Sequence, residues 1–326
     1  VSTDTARSSH WPFPNAEVIH TPALEMSAYG GVSGDPPVVR DVVLVEDETV
    51  RAHAVDGAPI VQFTAFLDGT QTVHVRGHER GAPIMQGTVA AVIRERRERR
   101  LVTWPHRLPI VRHAYYAPLL YVRERANHER NGWPIVDTSY TKKGTLVPRH
   151  PAALRAEALE RIGHARERAE RELADAWCEM AANAADGGAG VLFVDGGISG
   201  SVTTATSSCV VGVIKSHQTL YSLGDGLPTI MSLECGERSS VFRVPHKERT
   251  PVVSWYLRLR NPHGHDAMFG LVRVEVADHG DYAARANDVS RWILAEVAPL
   301  SLPDGRWDKM VYGIRDCEQF LRAIAS

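Results

Sequence analysis

The run VLFVDGG at 191–197 constrains the fold more than any other segment, because its apolar residues follow one another without alternation and stop at Asp195 and two glycines. Such a run reads as a strand buried on both faces, and a strand of that kind needs a layer of structure on each side of its sheet. CVVGVIKS at 209–216 repeats the pattern. Upstream, Leu154, Ala158, Ile162, Ala165, Ala169, Leu173, Trp177 and Met180 recur at three- and four-residue steps. That period predicts one long amphipathic helix over 151–183, with Pro151 suited to its first turn and ADGGAG ending it. A long helix feeding a doubly buried strand predicts a mixed α/β domain.

The remaining elements fall around this centre. VQFTAFLDG, TQTVHVRG and IMQGTVAAVIRER are rich in β-branched and aromatic residues and are separated by Gly, Pro and Asp, which predicts a three-strand meander. Further strands are expected at 241–244, 252–259 and 268–276, and helices at 281–297 and 313–325. The first 59 residues carry many Pro and Gly and one β-like run at 41–45, so they read as an irregular extension or docking segment with little core of its own. The main domain is expected to span 60–326.

Composition removes several classes. Against 37 Lys+Arg stand 39 Asp+Glu, so nucleic-acid binding has no global basic signal and would need a local patch. RERRERR at 94–100 offers one, although a charge run is more often a solvated face. The four cysteines form no C-x-x-C pair, which fits a reducing cytoplasm better than a zinc ribbon or a disulfide framework. No long apolar run or leader pattern is visible, so a cytoplasmic location is expected. G-x-x-x-x-G-K-[ST] and G-x-S-x-G are both missing, which argues against a P-loop ATPase and an α/β-hydrolase.

Two strands share one chemical feature: FTAFLD(68)G and VLFVD(195)G each deliver an Asp and then a Gly. Carboxylates at strand ends stand where ligands of open α/β sheets bind, and two of them converging would suit Mg²⁺ or Mn²⁺ in phosphodiester cleavage. The bland reading is that each Asp-Gly is a turn. A third carboxylate is expected from the long helix, where Glu172 and Glu179 share an edge and Glu179 is nearer the Asp195 strand in sequence. Lys215, ending CVVGVIK, is placed to hold a phosphate, or is a surface lysine. Hydroxyls between Ser199 and Ser208 line a phosphate track or merely fill a loop. NPHGHD at 261–266 reads as a loop between strands, its His-x-His being a weak metal signal.

Taken in order, strand-Asp68-Gly, the long helix, VLFVDGG, CVVGVIK, SWYLRL, FGLVRVEV and the closing VYGIRDCEQFLRAI resemble the NurA nuclease family over residues 60–326. The resemblance implies an RNase H-like fold and a Mn²⁺-dependent (or Mg²⁺-dependent) DNA nuclease that resects ends. It implies a homodimer that works with a HerA-type hexameric ATPase, which would supply the translocating activity this chain lacks a P-loop for. It makes Asp68, Glu179 and Asp195 the metal ligands, with Lys215 beside them and Tyr312 as the tyrosine of the C-terminal motif. The chain departs from the family at Thr70, where Ser is usual, at Gly197, and at Phe320, which replaces a histidine; Asp316 and Glu318 are the nearest polar substitutes. That last departure motivates two alternatives: a non-catalytic DNA-grasping scaffold subunit, and another RNase H-like nuclease such as an RNA-directed one or a transposase relative.

Overall fold

The computed structural model describes residues 36–98, 100–123, 132–183, 190–244, 249–297 and 307–325, and the backbone of the short strand Glu17–Val18. Most of the proposed extension (1–35), most of the ADGGAG breaker, Arg99 of the charge run and residues 127–131 lie outside the described residues.

Strand β1 (Phe63–Glu79) turns through Arg80 and Gly81 into β2 (Ala82–Arg97). Both turn residues have positive φ, 51° and 83°, the geometry of a tight hairpin whose twist matches its strands. β3 (Ile110–Ala117) pairs antiparallel with β2. Helix α1 (Pro151–Asn183) then carries the chain to β4 (Val191–Asp195), which lies parallel to β1, and β5 (Val210–Ile214) lies parallel to β4. β6 (Val252–Arg258) and β7 (Leu271–Ala277) extend the sheet, with β7 antiparallel to β5 and β6 antiparallel to β7. Within this large mixed sheet the central order is β3-β2-β1-β4-β5. No described helix is long and apolar enough to cross a membrane.

Helices cover both faces, as the doubly buried strands require. Ala65, Leu67, Ala91 and Ile93 face α1 through Ala169, Leu173 and Trp177. Phe63, Phe66, Phe193 and Val211 face α2 (Tyr282–Glu296) and α3 (Tyr312–Ile324) through Val289, Ile293, Ile314 and Leu321. On that second face Phe63 meets Phe193 edge-on, with ring centroids 5.1 Å apart.

The structure revises two expectations. FTAFLDG and TQTVHVRG are one strand, and Asp68-Gly69 is no turn: the ladder runs through Asp68↔Val92, Gly69↔Ala91 and Thr70↔Ala90. β2 supplies partners along that whole edge, so the glycine stays extended, and the third strand of the meander comes from the aromatic segment after Trp104. Residues 38–54 of the extension are built into this chain's own sheet system. Val38–Asp41 pairs with Thr219–Ser222, Val43–Leu44 with Phe242–Arg243, and Ala52–Ala54 with Glu237–Ser239. Glu46 clamps the buried Arg238 through two hydrogen bonds of 2.7 Å.

Candidate functional site

Parallel pairing of β1 with β4 sets Leu67 opposite Val194, so the next residues, Asp68 and Asp195, arrive side by side. β4 stops there while β1 continues, which leaves a notch in the sheet beside Gly69. Gly196, at φ 146°, swings the chain away from the notch. The loop is held by the buried Glu275, which accepts the Ile198 N–H at 2.9 Å and the Arg273 guanidinium at 2.7 Å. A Cβ at Gly197 would stand 2.9 Å from that carboxylate, which accounts for the second glycine of the DGG run.

From above the notch α1 contributes Glu170. A Cβ at Gly69 would stand 2.3 Å from Glu170 Oε1, so this glycine provides close approach where a turn was expected. Arg166, one helical turn back, donates to Glu170 at 2.6 Å. Lys215, just beyond the end of β5, donates from Nζ to Asp195 Oδ2 at 2.9 Å. Asp68 Oδ1 accepts the Gly69 N–H at 2.8 Å.

The charges do not balance. Burial holds the Asp68 carboxyl well above the usual carboxylate range; Asp195, Glu170 and Glu318 push it further up, and Lys215 pulls it down. Burial also lifts Glu170 to about 7, opposed by Arg166 and reinforced by Asp195 and Glu167. Crowded acids in a sheltered notch are a site that a cation would relieve.

Of the sequence candidates, Asp68, Asp195 and Lys215 come together, and Glu179 does not. It lies nine residues from Glu170, which at about 100° per residue puts it on the opposite side of α1 and about 14 Å along the axis, where it is exposed. Glu172, on the same side as Glu179, is ion-paired with Arg112 at 2.7 Å. Tyr312 opens α3 and is 55% exposed. Phe320 lies under the Arg94 guanidinium, 4.6 Å from its ring centre, and Asp316 is taken by the same arginine at 2.6 Å. Glu318 is the C-terminal acid whose charge reaches Asp68. Sequence reasoning missed Glu170 and Arg166. Their signal was the Arg-x-x-x-Glu step next to Ala169 and Leu173, in phase with the stripe that packs on β1.

One group among the described residues brings three ligand-type atoms within 4.8 Å of one another and could hold a metal ion: Glu46, Asp47 and His53. It lies with the 38–54 segment, away from the notch, and its atoms already have partners. Arg238 takes both Glu46 oxygens, while Ser240 and His53 reach Asp47 at 2.5 and 2.7 Å. Asp68, Glu170 and Asp195 form no group that tight; Glu170 is paired with Arg166 and Asp195 with Lys215. The chain matches no protein-family model, and no curated protein matches it in sequence.

Proposed function

We propose that this chain is a divalent-metal-dependent DNA nuclease whose centre is Asp68, Glu170 and Asp195. The observation that carries the reading is the convergence of these three carboxylates at the notch between β1 and β4, with more acid than the two neighbouring cations neutralise. The donors are all carboxylate oxygens, which fits a hard ion, Mn²⁺ or Mg²⁺. When bound, such an ion supplies an activated water and charge stabilisation at the scissile phosphate.

The chain's own residues have separable tasks. Asp68 and Asp195, fixed by adjacent strands, are the rigid ligands, and Glu170 reaches in from α1. Glu170 keeps a proton to about pH 7, so the carboxylate form that would hold an ion gains population as pH rises through that value. Lys215, paired with Asp195, stands where its ammonium would donate to a phosphate oxygen beside an ion held by that carboxylate. A homodimer working with a HerA-type hexameric ATPase belongs to this reading and rests on the resemblance of residues 60–326 to the NurA family.

A second reading is favoured by the ion pairs themselves. Lys215 on Asp195 and Arg166 on Glu170 neutralise two acids without a metal, as in a DNA-grasping scaffold that has lost its chemistry. Incubating the purified chain with labelled linear DNA, with Mn²⁺ and with chelator, separates the two. Metal-dependent cleavage lost in Asp195→Asn supports the nuclease; binding that ignores chelator, with no cleavage, supports the scaffold. RNA in parallel tests the RNA-directed relative.

A further inference from the structure

Two cations at the rim of the notch have no acid to answer them. Helix α1 carries acids four residues to either side of Arg171, Glu167 and Asp175, and the same spacing pairs Arg161 with Glu157 and Arg166 with Glu170. Arg171 takes neither, and among the described residues it has no hydrogen-bond or ion-pair partner. Its half-buried guanidinium lies against Gly200, where a Cβ would stand 3.1 Å from both Nε and Nη2. Asp175 instead accepts the hydroxyls of Ser201 and Thr204, at 2.5 and 2.6 Å, which pins the loop that brings Gly200 to the arginine. Two of the hydroxyls that suggest a phosphate track are therefore occupied in fixing that loop.

The second cation is Lys309, on the other side of the sheet. It precedes Met310 and Val311, which belong to the core under α2 and α3. Its Nζ donates to the Lys215 carbonyl at 3.2 Å, next to the lysine that meets Asp195, and it forms no ion pair among the described residues. The neighbouring Asp308 is turned away, accepting the Gly270 N–H at 2.7 Å. Burial presses the Lys309 ammonium below its ordinary value, Arg258 and Lys215 press it further, and Asp308 and Asp266 oppose them only in part. A metal ion would answer the acids of the notch, but only an anion answers Arg171 and Lys309. They come from opposite sides of the sheet, so one small anion cannot serve both, whereas a strand carrying a phosphate at every step can.

We infer that Arg171 and Lys309 hold two backbone phosphates of one DNA strand that crosses the sheet edge where β4 and β5 end, with Lys215 between them. The inference rests on the reading of the notch as a nuclease centre and adds the course of its substrate. The guanidinium is suited to a two-point grip on phosphate oxygens and the ammonium to a single charge contact. Gly200 leaves the face of the guanidinium supported by backbone, so its edge is free to donate.

The test measures binding of the full chain to fluorescein-labelled single-stranded DNA by anisotropy, in chelator, over a series of salt concentrations. Each phosphate contact on a single strand contributes about 0.7 to the slope of log affinity against log salt. Arg171→Gln and Lys309→Gln should each weaken binding and lower the slope by about that amount, and Arg171→Lys and Lys309→Arg should restore it. Lys143→Gln, at an exposed lysine, should leave the slope as in the parent. An unchanged slope in either glutamine variant, an equal drop in Lys143→Gln, or no binding by the parent overturns the inference. Neither metal nor bond cleavage enters the measurement, so a parent that shows these slopes but does not cut with Mn²⁺ keeps the track and removes the nuclease centre.

Discussion

Replacing Glu170 with Gln separates a functional acid from a structural one, because the two readings give opposite signs. If Glu170 served only to pair with Arg166, its loss would destabilise the chain. The environment argues otherwise. Burial and the negative Asp195 outweigh the 2.6 Å ion pair, so the folded chain holds this carboxyl at about 7 against an ordinary value of 4.5. The folded state therefore binds a proton more tightly than the unfolded state. Its contribution to stability is fully present below about pH 4.5 and is lost as pH rises through about 7. Over an interval of about 2.5 pH units, at about 1.36 kcal/mol each, the loss is about 3 kcal/mol, an upper value because the side chain is 13% exposed.

Gln keeps the shape and removes the charge, and Arg166 is not stranded, since Asp68 and Asp195 also act on it. At pH 8 Glu170→Gln should therefore be more stable than the parent by up to about 3 kcal/mol, or about 6 °C in Tm at roughly 2 °C per kcal/mol. At pH 5 the difference should be small. Thermal unfolding without divalent metal at the two pH values is the assay. Equal destabilisation at pH 5 and pH 8 would refute the argument and make Glu170 a structural partner of Arg166.

Three further outcomes follow from the same geometry. Asp68→Asn and Asp195→Asn should each abolish Mn²⁺-dependent cleavage of labelled linear DNA while Glu179→Gln and Glu172→Gln leave it unchanged; a loss in Glu179→Gln alone would restore the helix assignment read from sequence. Mn²⁺ affinity, followed by calorimetry, should rise with pH through about 7 as Glu170 gives up its proton, and a flat profile between pH 6 and 8 would remove Glu170 from the ligand set. Gly313→Ala places a methyl 2.1 Å from the Phe66 ring where α3 lies against β1, and should lower the urea midpoint by the equivalent of about 3 kcal/mol.

Much of this architecture was legible because period and burial agree over long stretches. The 151–183 pattern predicts α1 as observed, since nine turns of apolar recurrence leave little freedom in phase. VLFVD and CVVGVIK are strands for the reason their composition suggests, being covered by α1 on one face and by α2 and α3 on the other. What failed is where one residue type answers two demands. Gly69 is as suitable in a turn as in a ladder under a close neighbour, and only the continuing pairing with β2 decides. Glu179 is the nearer to Asp195 along the chain, but sequence distance says nothing about which side of α1 a carboxylate occupies.

The other buried charges show why the notch stands apart. Arg258, fully buried, gives its protons to the carbonyls of Leu233, Met231, Ala267 and Phe269, so its charge is met by oriented dipoles. Arg96 and Glu296 make a two-point pair of 2.7 and 2.8 Å, and Arg238 and Glu46 another at 2.7 Å. In these places charge is matched by charge or by hydrogen bonds, as folding alone demands. At the notch, Asp68, Asp195, Glu170 and Glu318 act on one another against Lys215 and Arg166, and two of the acids are held above their ordinary range. An imbalance that weakens the fold at neutral pH has no structural reason to persist among so many satisfied pairs. On the proposed reading a ligand with the missing positive charge would relieve it, and for that reason the stability of Glu170→Gln and the metal dependence of cleavage test one physical statement from two sides.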